Sequence, residues 1–300
     1  MGIVVKRKTI SNLLANVYTL HDPMFPLYVI RDRRNLMIDC SILAKAKEIE
    51  VKLRELLGKE KIDLLLLTHS HYDHTGACSY LQGKYGFEII ASKRTKEILG
   101  NDKAIEFIDD LNQKFKKLLK DRSNSVFTKP VHVLGVGENE KIEISERQSI
   151  EVFETPGHTR CSISFLLKPE NVLFPGDAAG VVEQSGKIKP LFLSSYTLYE
   201  QSLKKLIALK ADVLALPHNT AVKGGEKVHE FLNNSLRETQ KLKEEIVTAL
   251  RNTIDFALIA ENILNREYSL PTIMGPREAL LINVTAMVKS IFHEFVKNPQ

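Results

Sequence analysis

The segment Thr68-His-Ser-His-Tyr-Asp-His-Thr-Gly76 puts His69, His71, Asp73 and His74 within six positions. A buried core segment would not carry imidazoles and a carboxylate this densely, because burying polar groups without partners costs several kcal/mol. Imidazole and carboxylate together suit zinc, iron or manganese. No thiolate lies within the motif. Cys78, four residues past His74, reads as a packing residue on the helix that follows.

Three isolated polar residues recur in a similar setting. His158 sits in Thr155-Pro-Gly-His-Thr159, Asp177 in Phe174-Pro-Gly-Asp177 and His218 in Leu216-Pro-His218. In each case, as at His69, a short apolar stretch ends in a turn and then a ligand-capable side chain. Four such coincidences point to one metal centre. A structural zinc site would prefer a closed four-ligand set, often rich in cysteine, and this set is larger. Two cations close together lower the pKa of a water between them and polarise the bond under attack, so no serine or cysteine nucleophile is needed. No G-x-S-x-G elbow is present. Ester, thioester, lactone and phosphodiester hydrolysis all remain open on these residues.

The elements that must position these groups are legible from periodicity. Leu13–Leu20, Leu27–Ile30 and Leu36–Ile38 read as strands, with Arg31–Asn35 as a hairpin connection. Ala44–Leu57 is an amphipathic helix ended by Gly58, and Ile62–Leu67 a strand buried on both faces that stops just before the histidines. Helix 77–85 and strand 87–91 follow, then a short helix capped by Ser92. A longer helix spans Lys103–Leu119, with Ile105, Ile108, Leu111, Phe115 and Leu118 or Leu119 as its apolar stripe. Strands are expected at 131–134, 141–144, 149–154, 162–167, 172–174 and 213–216, with a helix at 199–209. Beyond about residue 225 the pattern is purely helical: Val228–Leu250, Asp255–Leu264, and a third helix opened by Pro276 and running to about Val296. Strands and helices intermixed imply an α+β chain with sheets covered by helices.

The constellation resembles the metallo-β-lactamase-fold hydrolases over roughly residues 10–225. The resemblance implies an αβ/βα sandwich of two mixed sheets, a catalytic domain over 1–225 with a helical insertion near 95–120, and a C-terminal helical extension over 226–300 that acts as a cap or a dimerisation element. It also implies two divalent metal ions, zinc first, with iron or manganese as alternatives. His69, His71 and His158 would hold one ion and Asp73, His74 and His218 the other. Asp177 would bridge both together with a hydroxide. Asp73 would also serve catalysis by accepting the nucleophile's hydrogen bond and holding its proton, and Asp39 would support the ligands from behind. His71 stands where the flavin-linked diiron reductases of this fold have an acidic residue, which argues against oxygen or nitric oxide reduction. Leu67–His74, Ala91–Thr95, Gly176–Ala178, Lys189–Leu191 and Tyr199–Leu203 resemble a thioesterase-like branch with a helical cap, the quinolone-signal response branch. That likeness implies a capped site, thioester or carboxylic-ester hydrolysis of a small molecule, and a homodimer. Asn219 and Thr220 depart from it, standing where that branch has glycines.

Composition sets the alternatives. In 300 residues, 42 basic and 37 acidic side chains leave a net charge of +5, interspersed along the chain. The densest basic stretch, Lys114, Lys116, Lys117, Lys120 and Arg122, reads as a solvated helix face, whereas a nuclease would show a coherent basic groove or arm. A phosphodiesterase or nuclease of the same fold, or a regulatory protein that keeps a metal site, are the competing readings. Cys40, Cys78 and Cys161 form no disulfide framework, and no export signal is visible, so the expected setting is cytoplasmic. The uninterrupted apolar runs are too short to span a bilayer, and no membrane partner is expected.

Overall fold

The nearly all-apolar run Ile62–Leu67 contains the inner strand, Leu64–Leu66, from which the histidine segment departs. In the computed structural model, which describes residues 9–183, 185–218, 221–267 and 277–297, Leu64, Leu65 and Leu66 are all buried. The first sheet orders seven strands consecutively: β1 (Ile10–Leu14), β2 (Val17–Leu20), β3 (Leu27–Ile30), β4 (Leu36–Ile38), β5 (Leu64–Leu66), β6 (Glu88–Ser92) and β7 (Val133–Val136). Pairing is antiparallel through β4 and parallel from β4 to β7. Strands without alternation, such as β5, belong in a parallel region covered on both faces.

Helices α1 (Ala46–Leu57), α2 (Tyr72–Thr75), α3 (Cys78–Tyr85), α4 (Lys93–Gly100) and α5 (Asp102–Leu118) lie between these strands. Gly58 ends α1 at φ +64°, donating to the Arg54 carbonyl. Ser92 caps α4 by accepting from the Thr95 N–H, as its position predicts. The core of this part runs through Val29, Met37, Leu53, Leu65, Leu67, Leu81 and Ile89.

The second sheet has the order β15-β14-β11-β10-β9-β8, from β8 (Lys141–Glu143), β9 (Ser149–Glu154), β10 (Ile163–Lys168), β11 (Val172–Phe174), β14 (Val213–Ala215) and β15 (Ala221–Lys223). It is also mixed, with β11 parallel to β14 and antiparallel to β10. A small hairpin, β12 (Val181–Val182) with β13 (Ile188–Lys189), sits between β11 and α6 (Tyr196–Ala208). Then come α7 (Gly225–Leu250), α8 (Phe256–Glu267) and α9 (Arg277–Ile291), the last running into a π-helical turn, Phe292–Lys297. The chain thus has the expected α+β class, with two mixed sheets and a helical C-terminal region.

Two compact units result. The first runs to Val136 and includes Glu143–Ser149. The second comprises Gly137–Ile142 and the chain from Ile150 onward. In the second unit α6 to α9 share one core, in which Phe192, Tyr196, Tyr199 and Leu203 meet Leu242, Ile246, Ile263, Val284, Met287 and Ile291.

Several expectations need correction. Leu13–Leu20 is two strands, because Ala15 turns at φ +46° and its carbonyl accepts from the Asn12 side chain. The stripe of α5 is less apolar than its spacing suggests: Leu118 and Leu119 are exposed, while Asn112 and Lys116 are buried. Lys116 is therefore not part of a solvated basic face; its ammonium donates to the Ser123 and Ser125 carbonyls at 2.6 Å. Arg277–Lys297 is 21 residues long and its most apolar 18-residue stretch has a mean hydropathy of 1.4, a length and composition that a bilayer-crossing helix also shows although charged residues interrupt the apolar run. Its Leu280, Val284, Met287, Val288 and Ile291 are core residues here. Pro276, expected to open this helix, lies outside the described residues, as do Asn219 and Thr220.

Candidate metal centre

The first unit brings His69, His71, Asp73 and His74 into one cluster. β5 delivers Thr68 and His69 from a fully buried position, and the single turn α2 presents Asp73 and His74. His71 stands at the start of that turn in extended conformation, and its carbonyl accepts from the N–H groups of His74 and Thr75 and from the Thr75 hydroxyl. Ligand-capable atoms of His69 and His71 lie within 4.8 Å of each other, as do those of His69 and His74 and of Asp73 and His74. The loop after β4 holds the far end of α2: the Cys40 N–H and thiol both donate to the His74 carbonyl, at 2.8 and 3.1 Å. Burial, then the adjacent Cys78 thiol and the Asp39 carboxylate, push the Cys40 thiol well above its ordinary range. It therefore stays a thiol and offers no nucleophile.

Asp39 organises this cluster. It is buried at φ +54°, and its own N–H donates to the Leu66 carbonyl. One carboxylate oxygen accepts from the Thr68 N–H at 2.8 Å. The other accepts from the Thr68 hydroxyl at 2.8 Å and from His74 Nδ1 at 2.8 Å. A carboxylate can only accept, so His74 carries its proton on Nδ1. The Thr68 hydroxyl spends its hydrogen on Asp39 and is left to accept from His69 Nδ1, 3.1 Å away. Asp39 thus sets two rings, one directly and one through Thr68, with Nε2 as the lone-pair atom in both.

The second unit gathers the other three. β9 leads to His158, β11 to a 3-10 turn (Gly176–Ala179) that carries Asp177, and β14 to His218. His158 Nδ1 donates to the Leu191 carbonyl at 2.8 Å, which leaves its Nε2 as an acceptor facing Asp177 Oδ2 at 3.2 Å. His218 Nε2 lies 3.4 Å from Asp177 Oδ1. All three residues are at most 7% exposed. An imidazole lone pair directed at a carboxylate oxygen is repulsive unless a cation or proton lies between them. The same holds in the first unit, where His74 Nε2 lies 3.8 Å from Asp73 Oδ2. The donor chemistry of both clusters therefore fits divalent metal ions.

Two glycines let these segments form. A Cβ on Gly76 would lie 2.5 Å from Asn112 Oδ1 and from the Tyr72 carbonyl oxygen, and 2.7 Å from the Leu43 nitrogen. A Cβ on Gly157, at φ +129°, would lie 2.3 Å from Tyr199 Cα. Asn112 itself went unnoticed in the sequence. Fully buried, it accepts from the Leu43 N–H at 2.9 Å and fills the space beside Gly76, while Phe115 of the same helix packs on Tyr72 of α2. The signal that would have found it is a polar residue in register with the apolar stripe of α5. Thr68 was missed as an orienting residue for the same reason: its role rests on hydrogen bonds, not on residue type. Cys161, by contrast, is buried beside the Thr159 hydroxyl, as a packing residue would be.

Known proteins bear on this arrangement in the same direction. A sequence profile of the metallo-beta-lactamase superfamily matches residues 27–218. A metallo-beta-lactamase fold-containing protein of Sulfurisphaera tokodaii is 26% identical over 234 residues, which cover 73% of this chain and 80% of that one. A hydroxyacylglutathione hydrolase of a Bradyrhizobium strain is 29% identical over 149 residues, 49% of this chain and 44% of its own, so the match spans less than half of that enzyme. The crystal structure of a metallo-beta-lactamase family protein from Thermus thermophilus superposes with a TM-score of 0.67, covering 94% of each chain. At 19% identity that likeness speaks for the fold alone.

Proposed function

Because the chain belongs to the metallo-beta-lactamase superfamily, whose members are metal-dependent hydrolases, we propose that it is a dinuclear hydrolase of a small-molecule thioester or carboxylic ester. The observation that carries this reading is the fixed orientation of the histidines: His69, His74 and His158 each commit Nδ1 to an oxygen and keep Nε2 for a cation. In this reading His69, His71 and His158 would hold one ion and Asp73, His74 and His218 the other, with Asp177 available to both. Zinc is the first choice, with iron or manganese also compatible with these donors.

When bound, such ions supply a Lewis acid for the scissile carbonyl and bring a water's pKa near neutrality. Asp73 takes the proton that the water gives up as its oxygen bonds to the acyl carbon. It returns that proton to the departing sulfur or oxygen as the acyl bond breaks. Asp39 keeps the His69 and His74 rings from rotating through this cycle. The thioester preference is supported by the hydroxyacylglutathione hydrolase among the relatives, because a hydroxyacylglutathione is an acyl thioester. We also take the partner to be a small molecule, not a membrane or nucleic acid. The three free cysteines support a reducing, cytoplasmic setting, and a homodimer through helical parts belongs to the same reading.

The test is a panel of acyl thioesters, carboxylic esters, lactones and aryl phosphodiesters, assayed with metal-loaded and metal-stripped protein. Turnover of a thioester or ester that disappears on stripping is the expected result. Cleavage of the phosphodiester with no thioester or ester turnover would overturn the substrate class.

A further inference from the structure

The C-terminal helices reach into the segments that carry His158 and Asp177. The buried stripe of α7 consists of Val228, Leu232, Ser235, Thr239, Leu242, Ile246 and Leu250, so two hydroxyls interrupt an otherwise apolar face. Both are fully buried. Thr239 donates back to the Ser235 carbonyl, one turn earlier in its own helix. Ser235 instead donates out of the helix to the Ala179 carbonyl at 2.8 Å. Ala179 closes the 3-10 turn that carries Asp177, and on the other side of that turn the Tyr199 hydroxyl of α6 donates to the Asp177 carbonyl at 3.3 Å. A helix that merely covered a sheet would have no use for a hydroxyl there, since burying one costs free energy unless it is bonded.

The start of α6 grips the His158 loop in the same way. The N–H groups of Ser194 and Ser195 and the Ser194 hydroxyl donate to the Gly157 carbonyl, and the Ser202 hydroxyl donates to the Pro156 carbonyl. The first turn of α6 is in turn held by the π-helical turn after α9. Glu294 accepts from the Tyr196 N–H at 3.1 Å, the Thr197 N–H at 2.9 Å and the Thr197 hydroxyl at 2.7 Å, and Ser290 Oγ accepts from the Tyr196 N–H at 2.9 Å. A carboxylate at a helix N-terminus satisfies N–H groups that have no partner within the helix and matches the helix dipole.

We infer that the C-terminal helices set the separation of His158 and Asp177, through Ser235 on the Asp177 turn and Glu294 at the head of α6, and thereby tune the protein's affinity for its metals. The inference rests on the proposed function, in which these two residues are ligands. Ser235 and Glu294 touch neither metal nor substrate and are positioning residues.

The test compares wild-type protein with Ser235→Ala, Glu294→Ala and Glu294→Gln. Zinc affinity is read by competition with a chromophoric chelator, ligand geometry by the visible spectrum of the cobalt-substituted protein, and folding by the melt of the metal-free form. Ser235→Ala and Glu294→Ala are expected to weaken zinc binding about tenfold and to shift the cobalt spectrum. Glu294→Gln, which keeps an acceptor oxygen, recovers most of the affinity. Ser235→Ala removes one atom, so it reports even if Glu294→Ala does not fold. Wild-type affinity and spectra in Ser235→Ala, and in Glu294→Ala where that variant folds, with only the melt lowered, would reduce the helices to cover and overturn the inference while leaving the proposed function standing. Wild-type protein that takes up no metal would overturn both.

Discussion

Asp39 shows how a single carboxylate governs chemistry it does not perform. It receives three donors, and two of them decide which nitrogen of His74 and of His69 bears a proton. Replacing it by Asn keeps the shape but sets an N–H₂ against the donors it once accepted. Asp39→Asn is expected to lower zinc affinity by about 10- to 100-fold, a range typical for partners that orient metal ligands. It should also cost about 1–3 kcal/mol of stability in the metal-free protein. Chelator competition and a chemical denaturation curve check the two effects separately. Asp73→Asn belongs at the same scale but differs in outcome. Asp73 is partly exposed on α2, so the fold loses little, while hydrolysis should fall by more than about 100-fold because the proton acceptor is gone. Steady-state rates beside a thermal melt decide this, and comparable losses in both would contradict the assigned role. The seven ligand-capable residues were legible in the sequence because imidazoles and carboxylates set directly after apolar stretches seldom serve packing alone. Thr68, Asn112 and Ser235 were not, since Ser, Thr and Asn ordinarily face solvent and only their burial marks them.

At the level of elements, the ligand segments depend on backbone approaches that allow no side chain. Gly76→Ala would drive a methyl into Asn112, the Tyr72 carbonyl and the Leu43 N–H. Since two of those three are backbone atoms, relief requires α2 to shift. We expect a loss of about 1–3 kcal/mol, the usual cost of overpacking, visible in the melt of the metal-free protein before any metal effect enters. Most elements could be placed from periodicity, because β5 and α1 have the apolar patterns that strands buried on both faces and amphipathic helices require. The failures have physical causes. A turn at Ala15 divides β1 from β2 without the glycine or proline that usually announces one. The hairpin of β12 and β13 is only two residues long on each side, too short for alternation to register. The stripe of α5 misled because Asn112 and Lys116 are buried through specific hydrogen bonds, while Leu118 is left exposed.

For the molecule as a whole, the helical C-terminal region is part of a core. α6 shares its buried residues with α7, α8 and α9. A chain ended at Gly224 would expose Phe192, Tyr196, Tyr199 and Leu203 together and lose the contacts of Ser235 and Glu294. Each such side chain contributes about 1.5–3 kcal/mol when buried, against a net stability of about 5–15 kcal/mol for a typical protein. We therefore expect the truncated chain to be insoluble or aggregated on gel filtration; a soluble monomer with an unchanged melt would contradict this. The sequence revealed that this region is helical and amphipathic, but not what it packs on, because amphipathicity states that a face is covered and not by which partner.

The most direct test of the central claim is the zinc stoichiometry of the folded protein. Protein stripped with a chelator, titrated with zinc and passed through gel filtration should retain two zinc ions per chain. Replacement of both His158 and Asp177 by Ala should abolish that stoichiometry while the chain still folds. Folded wild-type protein that retains no zinc, or a double variant that retains as much as the wild type, would contradict the account.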